Sequence, residues 1–267
     1  DCQLVGETSG GTEFIRTYTF HFVDAGVHLF EKDVNYHVVN GAVLRDFEDY
    51  KIINVTQNLK YTEGTIQTAI SAANPGDEIH VSPGIFNESL TIDKSIVLLG
   101  SHYADQYFTV LNGDGLSNKP GIQISAGVSD VTITGFEIKD FDSGGIAAQG
   151  AGINNVTIEN NYIHNVQADG VRGSTDGTQP LSGWNVINNI IGTYSGSGIS
   201  LENAVDSAIN NNKISNPSLG STVAIEVACQ ASSGSKTVSG VTIADNEIND
   251  SDVRITATGT GTGAATV

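Results

Sequence analysis

The chain has 267 residues, of which 39% are hydrophobic, so it can bury a sizeable core and is not expected to be disordered. Thirty acidic residues against 12 basic ones give a formal net charge of −18, and this negative field argues against a nucleic acid partner. No apolar run reaches the roughly 18 residues that a membrane-spanning helix needs, so no transmembrane segment is expected.

Residues 1–63 differ in pattern from the rest and are predicted to form an N-terminal β-strand module. The segment 13–23 alternates with period two, and shorter strand-like segments follow it. These shorter segments lie at 27–30, 35–39, 42–47 and 51–59. They predict either a small antiparallel module, usable as an assembly arm, or strands that extend and cap the structure that follows. Whether they pair within one chain or with a neighbouring subunit stays open.

A short helix is predicted over residues 65–73. Ile66, Ala69, Ile70 and Ala73 are spaced i, i+3, i+4 and i+7, and Asn-Pro-Gly follows directly at 74–76. Such a helix would cover the N-terminal edge of the first coil of a stacked fold.

Residues 64–256 contain a repeat of two motifs. The first resembles VTIENNYI and occurs at 131–138, 156–163, 184–191, 207–214 and 241–248. The second, a glycine or small residue followed by an alternating strand, begins at 121, 145, 170, 198 and 222. Each period therefore predicts two short strands with their apolar residues on one side. Coils stacked about 4.8 Å apart would bury that side, which predicts a parallel β-solenoid.

Asparagines recur within the first motif and are predicted to form the corners of the coils. One position holds Asn161, Asn189, Asn212 and Asn246, and the position before it holds Asn160, Asn188, Asn211 and Asp245. Asparagine tolerates left-handed backbone geometry and bonds its neighbours through its side-chain amide. We therefore expect these residues to turn the chain and to stack as a structural ladder.

Residues 257–267 form a Gly/Thr-rich C-terminal tail without an amphipathic pattern. No capping helix is predicted there, so the last coil is expected to be open.

The helix, the passage PGDEIHVSPGIFNESLTIDKSIVLLG (75–100) and the asparagine corners resemble the pectin-lyase-like right-handed parallel β-helix superfamily over about residues 64–256. The resemblance implies an all-β fold: a right-handed parallel β-helix with a short N-terminal capping helix, preceded by the N-terminal β-strand module. This superfamily includes lyases, glycoside hydrolases, esterases, epimerases, phage tailspikes and noncatalytic surface proteins. The resemblance therefore implies no single activity.

Chemistry in this superfamily usually lies on the outward face of one sheet. The second motif places two columns there: Gln123, Ala147, Arg172, Ser200, Ala224 and Arg254, and then Ser125, Gln149, Ser174, Glu202, Glu226 and Thr256. Arg172, with Asp169 and Glu202, is the candidate catalytic cluster, because arginine can hold a sugar carboxylate and a carboxylate can act as a base. The alternative is an exposed ion pair. The motifs of pectate lyases, polygalacturonases and pectin methylesterases do not occur, and no metal or cofactor is expected.

Four sequons make Asn54, Asn87, Asn155 and Asn249 candidate glycosylation sites, although chance alone predicts about four in this composition. Cys2 and Cys229 are too few for a disulfide scaffold. They are a candidate disulfide, which would form either between neighbouring subunits or within one chain whose N-terminal arm folds back along the solenoid. The inward phase of the strand around Val227 favours a buried free thiol at Cys229 instead.

The sequence lacks methionine and begins at Asp1, from which we expect a removed signal peptide and an extracellular or cell-surface location. The predicted function is structural: a β-helix subunit that self-associates head to tail into a surface layer or filament through its terminal strands. The alternative is an exported carbohydrate-active enzyme (a lyase, hydrolase or epimerase) or a glycan-binding module that uses one outward sheet. A trimeric tailspike or adhesin is disfavoured, because the outward columns are too polar and small for trimer packing.

Overall fold

The computed structural model describes the backbone of residues 2–10, 13–24, 27–39, 42–45, 51–61, 65–103, 106–107, 109–175, 179–215, 223–231, 238–249 and 251–259. Side chains are described over residues 51–61, 65–102, 109–175, 179–215, 223–229, 238–249 and 251–256.

The N-terminal segment forms a four-stranded antiparallel sheet in which each strand pairs with the next along the chain. The strands are β1 (Cys2–Gly10), β2 (Glu13–Asp24), β3 (Val27–Val39) and β4 (Ala42–Arg45). Tyr18 of β2 lies opposite Leu4 of β1 and Val34 of β3, so this pairing occurs within one chain. The segments predicted as separate strands at 27–30 and 35–39 are one continuous strand, β3.

The next strands, β5 (Ile52–Asn54) and β6 (Leu59–Tyr61), form an antiparallel hairpin. This hairpin extends a sheet of the coils that follow it, which is the second of the two predicted arrangements for the early strands. The predicted helix is confirmed as α1 (Ile66–Ala72), which packs Ile66 and Ile70 into the core. No helix in the described part of the chain has the length and apolar character needed to cross a membrane.

In the described part of the chain seven successive coils follow, and each contributes one strand to each of three parallel sheets. Coil 1 contains β7 (Asp77–Val81), β8 (Gly84–Phe86) and β9 (Leu90–Ile92). Coil 2 contains β10 (Ile96–Leu99), a hairpin of β11 (His102–Tyr103) and β12 (Gln106–Tyr107), β13 (Thr109–Asn112) and β14 (Ile122–Ile124). Coil 3 contains β15 (Val131–Thr134), β16 (Phe136–Lys139) and β17 (Ile146–Gln149). Coil 4 contains β18 (Val156–Glu159), β19 (Tyr162–Val166) and β20 (Val171–Ser174).

The remaining coils keep this order and include two extra strands that pair with each other. Coil 5 begins with β21 (Leu181–Ser182) and contains β22 (Asn185–Ile187), β23 (Ile190–Tyr194) and β24 (Ile199–Glu202). Coil 6 begins with β25 (Ala204–Val205) and contains β26 (Ala208–Asn210), β27 (Lys213–Ser215) and β28 (Val223–Ala231). Coil 7 contains β29 (Thr242–Ala244), β30 (Glu247–Ile248) and β31 (Asp252–Gly259).

The core consists of aliphatic columns that run through the stacked coils. In the first sheet, which runs from β6 and β5 through β7 to β29, one column is in exact register across six coils and is fully or almost fully buried. Its members are Ile79, Leu98, Ile133, Ile158, Val186 and Ile209. The second sheet (β8 to β30) and the third sheet (β9 to β31) contribute matching columns. The predicted parallel solenoid is confirmed, but each coil has three strands and not two, because the asparagine corner divides the first motif.

The predicted asparagine ladder is confirmed. The Oδ1 of Asn189 accepts hydrogen bonds from the backbone N–H of Asn161 (3.0 Å) and from its Nδ2 (3.2 Å). Asn212 accepts in the same way from Asn189, and Asn246 from Asn212. The position before each ladder residue has a left-handed backbone, with φ of 52°, 57°, 56° and 55° at Asn160, Asn188, Asn211 and Asp245. The ladder pairs the polar backbone groups that the corner would otherwise bury without a partner.

A buried carboxylate fastens the β5–β6 hairpin to coil 1. Oδ2 of Asp77 accepts hydrogen bonds from Nδ2 of Asn54 (2.7 Å), from the backbone N–H of Asn74 (2.7 Å) and from the side-chain amide of Gln57. Burial alone would raise the pKa of Asp77, but these hydrogen bonds outweigh it and hold the pKa below its ordinary value. Asp77 therefore remains ionised and keeps the hairpin attached.

Candidate functional site

The three predicted cluster residues meet on the outward side of the third sheet. Arg172 lies on β20 and faces outward, since its neighbours Val171 and Gly173 are buried. Its Nη2 lies 3.2 Å from Oε1 of Glu202 on β24, and its Nε lies 3.9 Å from Oδ2 of Asp169. The side chains of Asp169 and Glu202 are mostly covered, whereas that of Arg172 is half exposed. The cluster therefore presents a guanidinium to solvent above two sheltered carboxylates.

A fourth residue, Glu226, joins this cluster, which corrects the predicted columns. The sequence placed Ala224 in the column of Arg172, but β28 pairs so that Ile225 lies beside Ile199 and Glu226 beside Ser200. Glu226 thus occupies the first outward column, and Ala224 is buried. The slip is of two residues, and the hydrogen bond that the N–H of Gly198 donates to the carbonyl of Val223 belongs to the same shifted register. A two-residue slip leaves the inward and outward phases unchanged, so periodicity could not reveal it.

Ser197 links two of these carboxylates from the turn before β24. Its backbone N–H donates to Oδ1 of Asp169 at 2.7 Å, and its hydroxyl donates to Oε2 of Glu226 at 3.3 Å. The preceding residue must be small, because a Cβ on Gly196 would lie 2.2 Å from Oδ1 of Asp169. The turn is therefore shaped to hold Asp169 in place.

The surroundings of the cluster raise the pKa of two of its carboxyl groups. Burial raises the pKa of Asp169, and Glu226 adds to the effect, against the opposing Ser197 N–H and Arg172 charge. Burial also raises the pKa of Glu202, with Arg172 opposing and the two other carboxylates reinforcing the rise. One guanidinium faces three carboxylates, so negative charge is in excess. A raised pKa is one of the features of a general acid, so Asp169 and Glu202 are the candidates for that role.

The candidate modification sites have different environments. Asn54 is fully buried, and its amide donates to Asp77, so a glycan on Asn54 is incompatible with this fold. Asn87, Asn155 and Asn249 are exposed, and their glycosylation stays a prediction. Cys229 is a buried free thiol in this structure, as the inward phase of its strand favoured, and the side chain of Cys2 lies outside the described residues, so a pairing of the two stays a prediction. Among the described side chains, no group of three or more His, Cys, Asp or Glu is placed to hold a metal ion.

The two ends of the stack expose apolar side chains. We call residues 51–92 the head and residues 241–259 the tail. In the tail, Val253 and Ile255 of β31 are 47% and 43% exposed, although they continue the columns of Ile225 and Val227, which are buried. In the head, Leu59 of β6 is 43% exposed, and Ile85 of β8 is 69% exposed. The exposed positions at the tail are core positions that lack a covering coil among the described residues.

The stacked sheets define the chain as a parallel β-helix, and comparison with known families agrees. The family described as "Right handed beta helix region" matches residues 93–266, which is more than half of the chain. The chain therefore belongs to this family, consistent with the resemblance to the pectin-lyase-like superfamily. A search of curated proteins and a search of solved structures each returned no match. Because one fold can host many functions, function has to be argued from the side chains.

Proposed function

We propose that this protein is an extracellular structural subunit that joins head to tail with further copies into a filament or surface layer. The observation that carries the proposal is the location of exposed apolar surface. Among the described side chains, four large aliphatic residues are at least 43% exposed, and all four lie in strands at the ends of the stack: Leu59, Ile85, Val253 and Ile255. Only Val253 and Ile255 are neighbours on one face of one strand, and exposed apolar side chains that continue buried columns favour an interaction surface there.

The tail offers a strand edge as well as apolar surface. Strand β31 has eight residues and pairs with β28 on one side, and no described strand pairs with its other side. An edge of this length is a template for another strand. Burying two half-exposed aliphatic side chains adds about 1 kcal/mol each to an association. A second copy that covered the tail would complete the columns of the core.

The β5–β6 hairpin differs from the tail in the sign of its charge, although the head as a whole does not. The β5–β6 hairpin segment 51–61 carries Lys51 and Lys60 and no acidic residue, which gives a formal charge of +2. The tail segment 241–259 carries four acidic residues and Arg254, which gives −3. The whole head, residues 51–92, carries these two lysines and four acidic residues, which gives −2, so two copies repel each other overall and the proposed contact rests on the apolar side chains and strand edges. Because the two contacting surfaces differ, the assembly propagates unless it closes into a ring.

Negative-stain electron microscopy of the purified chain tests the proposal. At concentrations of about 10 to 100 μM, a range in which weak interfaces begin to associate, we expect filaments of uniform width that lengthen with concentration. Monodisperse single rods over that range would contradict the proposal. Far-UV circular dichroism on the same samples, dominated by β structure, is the control for folding.

A second candidate function rests on the Arg172 cluster. An outward guanidinium above carboxylates of raised pKa favours a glycan-binding or carbohydrate-active site, because arginine can hold a uronic acid and a protonated carboxyl group can act as an acid.

We expect Arg172→Ala to weaken binding of an acidic oligosaccharide such as tri-galacturonate by at least about tenfold, as removal of a charged hydrogen-bond donor does. Isothermal titration calorimetry measures the change, and Arg254→Ala, in the same column three coils further on, is the control. Equal affinities of the wild type and both variants, or no binding by any of them, would argue against a site at Arg172.

A further inference from the structure

A buried hydroxyl without a hydrogen-bond partner lies at the centre of the Arg172 cluster. Ser200 of β24 is 6% exposed, and no described residue forms a hydrogen bond with its hydroxyl. The side chain is on the outward phase of the strand, because the neighbouring Ile199 and Leu201 are fully buried core residues. A buried polar group that stays unpaired lowers stability, so it requires an explanation. A ligand that binds over Ser200 would supply the missing hydrogen bond.

Residues of opposite charge lie on either side of Ser200. In the first outward column, Arg172 lies beside it in the preceding coil and Glu226 lies beside it in the following coil. Glu202, two residues after Ser200 on the same strand, and Asp169 add two more carboxylates next to the guanidinium. A cation, a hydroxyl and an anion therefore follow one another along the sheet, with about 4.8 Å between neighbouring strands. This order suits a ligand that has both a negative and a positive group.

The cluster has an open guanidinium and lacks positive charge. The side chain of Arg172 is 49% exposed, and only its Nη2 and Nε lie near Glu202 and Asp169, which leaves further donors for a ligand. Burial and the neighbouring carboxylates raise the pKa of Asp169 and of Glu202. Arg254 follows Glu226 in the column, but no ion pair joins these two described side chains. An added ammonium group would therefore compensate the excess of carboxylates.

We infer that the Arg172 cluster binds a sugar that carries both a carboxylate and an ammonium group, and that the hydroxyl of Ser200 bonds to this sugar between the two charges. Arg172 holds the carboxylate, and the carboxylates of Asp169, Glu202 and Glu226 surround the ammonium group. A purely anionic sugar satisfies only the guanidinium. This inference rests on the second candidate function, a glycan-binding site at Arg172, and narrows its ligand.

The test compares muramic acid, a sugar with a carboxylate and a free amine, with N-acetylmuramic acid, in which the amine is blocked. Isothermal titration calorimetry should show that the wild type binds muramic acid at least about tenfold more tightly, because only muramic acid brings an ammonium group to the carboxylates. Arg172→Ala should weaken the binding of muramic acid at least about tenfold, and Ser200→Ala should weaken it about fivefold.

Thermal melting distinguishes a ligand contact from a structural role of Ser200. Ser200→Ala removes an unpaired buried hydroxyl, so it should raise the melting temperature by about 2 °C while it weakens binding. Ser174→Ala is the matched control, because Ser174 is also buried but its hydroxyl donates to the carbonyl of Ala148 at 3.4 Å. The control should bind muramic acid like the wild type and should not gain stability. Equal affinities of Ser200→Ala and the wild type for muramic acid would refute the contact at Ser200.

The outcomes separate the inference from the candidate function. If tri-galacturonate binds through Arg172 but muramic acid binds no more tightly than N-acetylmuramic acid, the inference is refuted and the candidate glycan-binding site stands. If muramic acid binds through Arg172 and Ser200 but tri-galacturonate does not bind, the inference is supported, and binding of purely acidic glycans is refuted. If none of the three sugars binds, the inference and the candidate site are both refuted.

Discussion

Replacing Asn189 by alanine should lower the free energy of unfolding by about 4 kcal/mol, because it removes one of the two inner members of the four-residue ladder. The backbone N–H of Asn161 loses the Oδ1 that accepts it at 3.0 Å. The carbonyl of Ile158 loses the Nδ2 that donates to it at 2.8 Å, and the carbonyl of Ile187 loses the same donor at 3.0 Å. Asn189 is 1% exposed, so water cannot replace these partners, and each unpaired buried group costs about 1–3 kcal/mol.

The matched control is the neighbouring asparagine. Asn188 is exposed and has a φ of 57°, a left-handed conformation that glycine adopts without strain. Asn188→Gly should therefore change the unfolding free energy by less than about 1 kcal/mol. Urea unfolding followed by circular dichroism measures both variants. Similar losses for the two, or no loss for Asn189→Ala, would mean that the ladder does not stabilise the coils.

The double substitution Val253→Lys and Ile255→Lys should weaken self-association by at least about thirtyfold. Each substitution removes about 1 kcal/mol of apolar burial at the contact and places a charge where a covering coil would exclude water. The stack itself should remain folded, because both side chains are already about half exposed. Sedimentation velocity over a concentration series gives the affinity, and thermal melting checks the fold.

A control with the same change in charge uses the outward faces of the same coil. Thr242→Lys and Thr256→Lys also add two positive charges to the tail, but Thr242 is exposed on β29, and Thr256 is on the outward phase of β31. This variant should associate like the wild type. An equal loss of affinity in both double variants would mean that the added charge causes the effect and that the apolar positions of the tail do not.

The repeated part of the fold was predictable because stacking imposes the same demand on every coil. The spacing of Asn161, Asn189 and Asn212 identified the ladder, and the i, i+3, i+4 pattern of Ile66, Ala69 and Ile70 identified α1. Both signals arise from local geometry that is written directly into residue spacing. The predicted number of strands per coil, two, was wrong, because the corner that divides the first motif leaves no break in its apolar pattern.

The contacts that lie outside the repeat were not predictable from it. Glu226 reaches the Arg172 cluster through a two-residue slip that periodicity does not detect. The hydrogen bonds between Gln67 of α1 and Thr91 of β9 join residues that are 24 apart in different elements, so no recurring spacing links them. The space beside Gly173 is filled by Leu181, Leu201 and Trp184, which a sequence pattern shows only as a missing aliphatic residue. Such contacts depend on how turns place single side chains, and each occurs once.

The most direct measurement of head-to-tail assembly is a mixing experiment with one damaged end in each chain. The tail variant carries Val253→Lys and Ile255→Lys, and the head variant carries Leu59→Lys and Ile85→Lys. Analytical ultracentrifugation should show each variant alone as a monomer and the equimolar mixture as a dimer that does not grow, because each pair retains one intact head and one intact tail. A mixture that stays monomeric, or a head variant that assembles alone as well as the wild type does, would contradict the account.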